Sequence, residues 1–103
     1  MFIIVFITCA NKIQAQKIAQ ALIEAKLAAC VNVINSVNSL FWWQGKVDSS
    51  KETLLIIKSK KNLFCRLEKL VKSLHSYDVP EIIALPIVKG SKKYLEWIND
   101  STR

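Results

Sequence analysis

Residues 30–60 read CVNVINSVNSLFWWQGKVDSSKETLLIIKSK, and the chemistry of this stretch decides the fold. Val31, Val33, Ile34, Val37, Leu40, Phe41, Trp42 and Trp43 crowd its first half, and Thr53, Leu54, Leu55, Ile56 and Ile57 its second. β-Branched and aromatic side chains suit a pleated, half-buried surface. The stretch therefore reads as two strands joined by a turn at Gly45-Lys46 or at Asp48-Ser49-Ser50. Each arm has room for about twice the five or six residues of an ordinary strand. Phe41-Trp42-Trp43 also puts large rings on both faces of one strand, because successive side chains point opposite ways. A small domain has one core and cannot cover both faces of such a ribbon. A second copy of the chain is the expected cover.

Upstream, Phe2 to Cys9 is an uncharged apolar run, expected to be a central strand buried on both faces. Thr8 or Asn11 can then cap a helix by accepting from free backbone N–H groups. From Asn11 to Lys26, Ala15, Ile18, Ala19, Leu22 and Ala25 form one apolar stripe, and Gln14, Lys17, Gln20 and Glu24 face water. Downstream, Asn62 is the expected cap of a second helix with Leu63, Leu67, Leu70 and Leu74 as its buried stripe. Glu68 and Lys72 stand at the spacing of an i, i+4 ion pair. Val79 to Val88 reads as a last strand, with Pro80 and Pro86 where an edge strand tolerates proline. Gly90-Ser91 opens a short helix carrying Tyr94, Leu95, Trp97 and Ile98.

The order is βαββαβ plus a terminal helix, over one domain spanning residues 1–103. Strands separated by helices are expected to pair parallel through crossovers, with a hairpin in the middle. This is an α+β, ferredoxin-like sandwich: one antiparallel sheet backed by two helices, with a long hairpin and a short C-terminal helix. The helices cover one face only. A closed oligomer would cover the other, and the long arms could add to a neighbour's sheet edge.

Composition narrows the function. With 51% hydrophobic residues, two Gly and two Pro, the chain is globular rather than disordered. Phe2 to Ile7 is far short of the roughly 18 residues of a membrane helix. It has neither the basic lead nor the cleavage site of a signal peptide, so no membrane association and a cytoplasmic location are the expectations. Cys9, Cys30 and Cys65 are an odd number without a CxxC pair, which speaks for free thiols over a disulfide framework or zinc finger. The net charge of +7 invites an anionic partner, but only Lys58-Ser59-Lys60-Lys61 is dense. The basic and aromatic pattern of an RNA-binding strand is missing, so nucleic acid is not the expected partner.

His75 is the only histidine. With Tyr77, Asp78 and Glu81 it forms the one cluster of possible metal ligands or acid–base groups. Imidazole suits copper and zinc, and carboxylates make the site harder. His75 and Glu81 are the metal candidates, although a stable site would need a further ligand. Cys30, at the turn into the long hairpin, is a small buried hydrophobe or a soft ligand. With one histidine and no nucleophile or phosphate motif, no catalytic set is visible, and the chain is not read as an enzyme.

The blocks LAACVN (27–32), WWQGK (42–46) and YDVPEIIALPI (77–87), with Glu52–Lys58 and Tyr94–Ile98, closely resemble the CutA family of divalent-cation tolerance proteins. Ser76 stands where the family often has proline. The resemblance implies a ferredoxin-like subunit and a tight homotrimer similar in architecture to the PII signalling proteins. It also implies a role in the response to metal ions, with copper or another divalent metal as the ligand. It implies further that Cys30, Lys58, His75, Tyr77 and Glu81 gather at a cleft between subunits. A metal-binding, metal-stress protein with a possible protein partner is the first expectation. An enzyme or small-ligand sensor using that cleft is the alternative.

Overall fold

A computed structural model describes residues Met1–Arg103. It places β1 (Phe2–Cys9), α1 (Lys12–Glu24), β2 (Cys30–Trp43) and β3 (Lys46–Lys60) in succession. A 3-10 turn (Lys61–Leu63), α2 (Phe64–Leu74), β4 (Ile82–Pro86) and α3 (Lys92–Asp100) complete the chain. The strands form one sheet in the order β2-β3-β1-β4. This is the expected α+β, ferredoxin-like arrangement of one antiparallel sheet, and every pairing in it is antiparallel. Only the expected parallel crossovers fail, because β3 folds back between β2 and β1. Strands that flank a helix therefore never become neighbours through it.

The helix-facing side of the sheet is the core. Ile3, Val5, Ile7 and Cys9 of β1 and Leu55 and Ile57 of β3 are buried against Ala15, Ile18, Ala19 and Leu22 of α1 and Leu67 and Val71 of α2. The alanines on α1 let the helix lie close to the strands. Only alternate residues of β1 are buried, so the expectation of burial on both faces is corrected: Phe2, Ile4, Phe6 and Thr8 lie half-covered on the far side. That side is not bare either. α3 lies there, with Ile98 fully buried and Lys60 donating to Asn99 and to the Arg103 carbonyl.

Local chemistry explains the element ends. Asn11 caps α1 by accepting from the Gln14 N–H at 2.9 Å. Asn62 is not a cap: it sits inside the 3-10 turn, and α2 begins without a side-chain cap. The α2 stripe runs Leu63, Leu67, Val71, with Leu70 and Leu74 at its margin. Glu68 and Lys72 pair at 3.2 Å. β4 is shorter than the expected Val79–Val88, because its ladder to β1 covers only Ile82 to Pro86.

The hairpin turns at Gln44-Gly45, both at positive φ (49° and 77°). That is the backbone of a two-residue turn whose twist matches the strands. β1 reaches only as far as the Cys9–Thr53 pair. Beyond it, β2 and β3 run on together as a ribbon with both edges free, roughly 23 Å long at the usual strand rise. The molecule is accordingly 44 Å in its long dimension against 25 and 22 Å in the others. A bulge between Ile34 and Val37, with Ser36 at φ 60°, marks where the ribbon leaves the sheet.

Candidate functional site

The polar cluster of the chain lies at the root of that ribbon. Three pieces of chain meet there: the end of β1, the outer half of β3 just past the last β1 pair, and the segment from His75 to Glu81 that leads from α2 to β4. Its centre is Glu52. The register pairs Glu52 with Val37, immediately after the bulge, and the residue is 8% exposed. An acidic group this deep needs a partner. The Tyr77 hydroxyl supplies one, donating to Glu52 Oε2 at 2.8 Å.

Glu52 shapes the titration of its neighbours. Burial, then the hydrogen bond to Glu52 and its charge, push the Tyr77 phenol up to about 12. Burial first and the Glu52 charge second push the Cys9 thiol up to about 11. That keeps Cys9 protonated and a poor soft ligand. The Glu81 carboxyl is held above the ordinary carboxylate range by loss of hydration, and then by repulsion from Glu52. Glu52 and Glu81 thus form a like-charged pair, a place where positive charge would be welcome.

His75 ends α2 and is half-buried. One ring nitrogen, Nε2, lies 2.7 Å from the Thr8 carbonyl oxygen, and the Tyr77 N–H donates to the other, Nδ1, at 3.1 Å. The Tyr77 ring packs against it with centroids 4.8 Å apart. Asp78 is exposed and joins no hydrogen bond of the cluster. No three His, Cys, Asp or Glu side chains converge in the chain as a metal group.

Cys30 and Lys58 are elsewhere. They face each other across β2 and β3, on the side of the sheet opposite the core helices. Lys58 Nζ donates to Asn32 Oδ1 and lies 3.8 Å from Cys30 Sγ. Tyr94 of α3 lies near the same thiol, and lost hydration followed by Cys30 holds its phenol above the ordinary range. Lys58 is six positions along β3 from Glu52, about 20 Å at the strand rise. Within the chain, then, Tyr77, His75 and Glu81 stay together while Cys30 and Lys58 form a second group.

Sequence reasoning missed Glu52, Asn32 and Tyr94 as members of these groups. A signal for Glu52 existed. It is an acidic residue on the same strand face as Leu54 and Ile56, where an unpaired charge would be costly.

Comparison with known proteins matches residues 3–101 to the family model CutA1 divalent ion tolerance protein. The rice protein CutA 1, chloroplastic, is 50% identical over 98% of this chain, which covers 57% of that protein. The chain therefore spans little more than half the length of this relative. Among solved structures, the divalent cation tolerance protein (Cut A1) of Thermus thermophilus superposes with a TM-score of 0.98 at 44% identity, with both chains fully covered. The periplasmic divalent cation tolerance protein CutA of Archaeoglobus fulgidus does so at 0.95 and 40% identity, with 98% of each chain covered. These names correct the expectation of a cytoplasmic protein. Close relatives are described as chloroplastic and as periplasmic, so the domain itself dictates no compartment.

Proposed function

The chain belongs to the CutA1 divalent ion tolerance family, and from that premise we propose that it is a homotrimer of PII-like architecture that takes up copper or another divalent cation where its subunits meet. The observation that carries this reading is the uncovered ribbon. Leu40 and Trp42 are 75% exposed, Trp43 60% and Val47 61%. A two-stranded ribbon on its own is marginally stable in water, and exposed apolar surface of this extent marks an interaction site. Further copies of the chain cover it most simply, and the family likeness favours three. Assembly also offers a way to bring the Lys58 group of one subunit toward the Glu81 group of another.

Of the metal candidates read from the sequence, Glu81 enters this proposal, joined by Glu52. Their mutual repulsion is what a divalent ion relieves, and carboxylate oxygens accept copper as well as harder cations. His75 does not enter it, because both ring nitrogens are engaged. Two carboxylates are too few for a stable site, so further ligands come from a neighbouring subunit.

The test is light scattering followed by calorimetric titration with Cu²⁺, Zn²⁺ and Mn²⁺. The expected results are a mass of three chains and one cation per subunit, with uptake lost in both Glu52→Gln and Glu81→Gln. A single-chain mass, or uptake indifferent to both substitutions, overturns the reading. A second reading has one observation behind it: Lys58 has no carboxylate partner, since Glu68–Lys72 is the chain's one ion pair. An unneutralised ammonium in a subunit cleft favours a small anionic or metal-bound ligand, sensed rather than transformed. Loss of such binding in Lys58→Met would support it.

A further inference from the structure

We infer that His75 is a positioning residue, a clamp that seats Tyr77 on Glu52, and that its ring is closed to metal. A carbonyl oxygen only accepts, so the 2.7 Å contact with Thr8 requires the proton on Nε2. Nδ1 then holds the ring's single lone pair, and the Tyr77 N–H already donates to it. The His75 N–H is spent as well, on the Val71 carbonyl at the end of α2. One residue thereby ties the end of β1, the end of α2 and the segment to β4 together.

The consequence is felt two residues on. With its N–H held by Nδ1 and its ring packed on the imidazole, Tyr77 is oriented from both ends, and its hydroxyl falls on Glu52. A metal on His75 would have to displace either the Thr8 carbonyl or the Tyr77 N–H. Each is a half-buried backbone group that would lose its partner. The clamp stands on this geometry alone and does not depend on the cation reading.

A single histidine makes the test clean, because its two ring nitrogens give one unambiguous pair of ¹⁵N signals. The expected spectrum of the wild-type protein at neutral pH is that of the Nε2-protonated ring, unchanged when Zn²⁺ is added. In His75→Ala the Tyr77 amide is expected to exchange at least about tenfold faster, with recovery in His75→Asn, whose side-chain oxygen can accept from the N–H two residues on. An Nδ1-protonated ring, ring signals that move with Zn²⁺, or unchanged Tyr77 exchange in His75→Ala each overturns the clamp. A wild-type protein that takes up no cation at all defeats the proposed function instead, and the Tyr77 exchange still decides the clamp.

Discussion

β3 is one strand with two fates. Its inner half, from Thr53 to Lys60, is flanked by β1 and β2 and roofed by helices, and Leu55 and Ile57 are fully buried. Its outer half, from Lys46 to Glu52, pairs only with β2, and across that pairing Trp42 and Trp43 stand in solvent. Large apolar groups line the ribbon at both ends. What differs is the number of neighbours the chain can supply. The inner half is stabilised by neighbours within the chain, and the outer half is the part that the proposed assembly covers. Glu52 and Tyr77 sit at the boundary between the two.

Replacing Trp42 and Trp43 together by Ala should have the largest effect. Light scattering is expected to show the assembly falling to single chains of 11.7 kDa, with far-UV circular dichroism preserved. An unchanged mass would mean that the ribbon does not join the copies. Leu55→Ala attacks the other half. It should cost about 3 kcal/mol in denaturant unfolding, within the roughly 2–5 kcal/mol of buried leucine truncations, and leave the assembly contacts in place. A cost below about 1 kcal/mol would refute the core assigned to the inner half.

At the boundary, Tyr77→Phe removes one hydrogen bond to a buried carboxylate and should cost about 1–2 kcal/mol. Denaturation that does not distinguish it from wild type would break the Tyr77–Glu52 link. Glu81→Gln should have the smallest effect on stability, visible there only through pH. The folded state raises the Glu81 pKa above its ordinary 4.5. The group thus favours the fold below that value, and the advantage is lost as pH rises through the folded pKa. Glu81→Gln should therefore melt slightly higher than wild type near neutral pH, and the gap should close below about pH 4. A gap that widens on acidification would show that Glu81 gains a positive partner.

Much of this was legible beforehand. The apolar stripe of α1, the Glu68–Lys72 pair and the overlong hairpin all follow from local spacing and stand as read, and of the two caps offered for α1 the structure uses Asn11. Errors fell where neighbours decide. Asn62 has a capping side chain, yet the chain enters α2 through a tight turn that leaves it no role. Val79 to Val88 has strand composition, yet β1 offers it only five partners. The site was half legible. His75, Tyr77 and Glu81 are neighbours in sequence and remain so in space. Glu52, 25 positions before Tyr77 in the chain, joins them only through register.

The sequence by itself determined the elements, the antiparallel hairpin and the excess of apolar surface on it. Each is written in the alternation or helical spacing of adjacent side chains, which bond geometry converts directly into faces. Tertiary structure decided that β3 lies inside the sheet, that α3 rests on the far side, and that a carboxylate on one strand meets a phenol held by a histidine against the Thr8 carbonyl, 67 positions away. Those meetings depend on register and on the path of connecting segments. No local period encodes either, because both are set by which surfaces can be buried together.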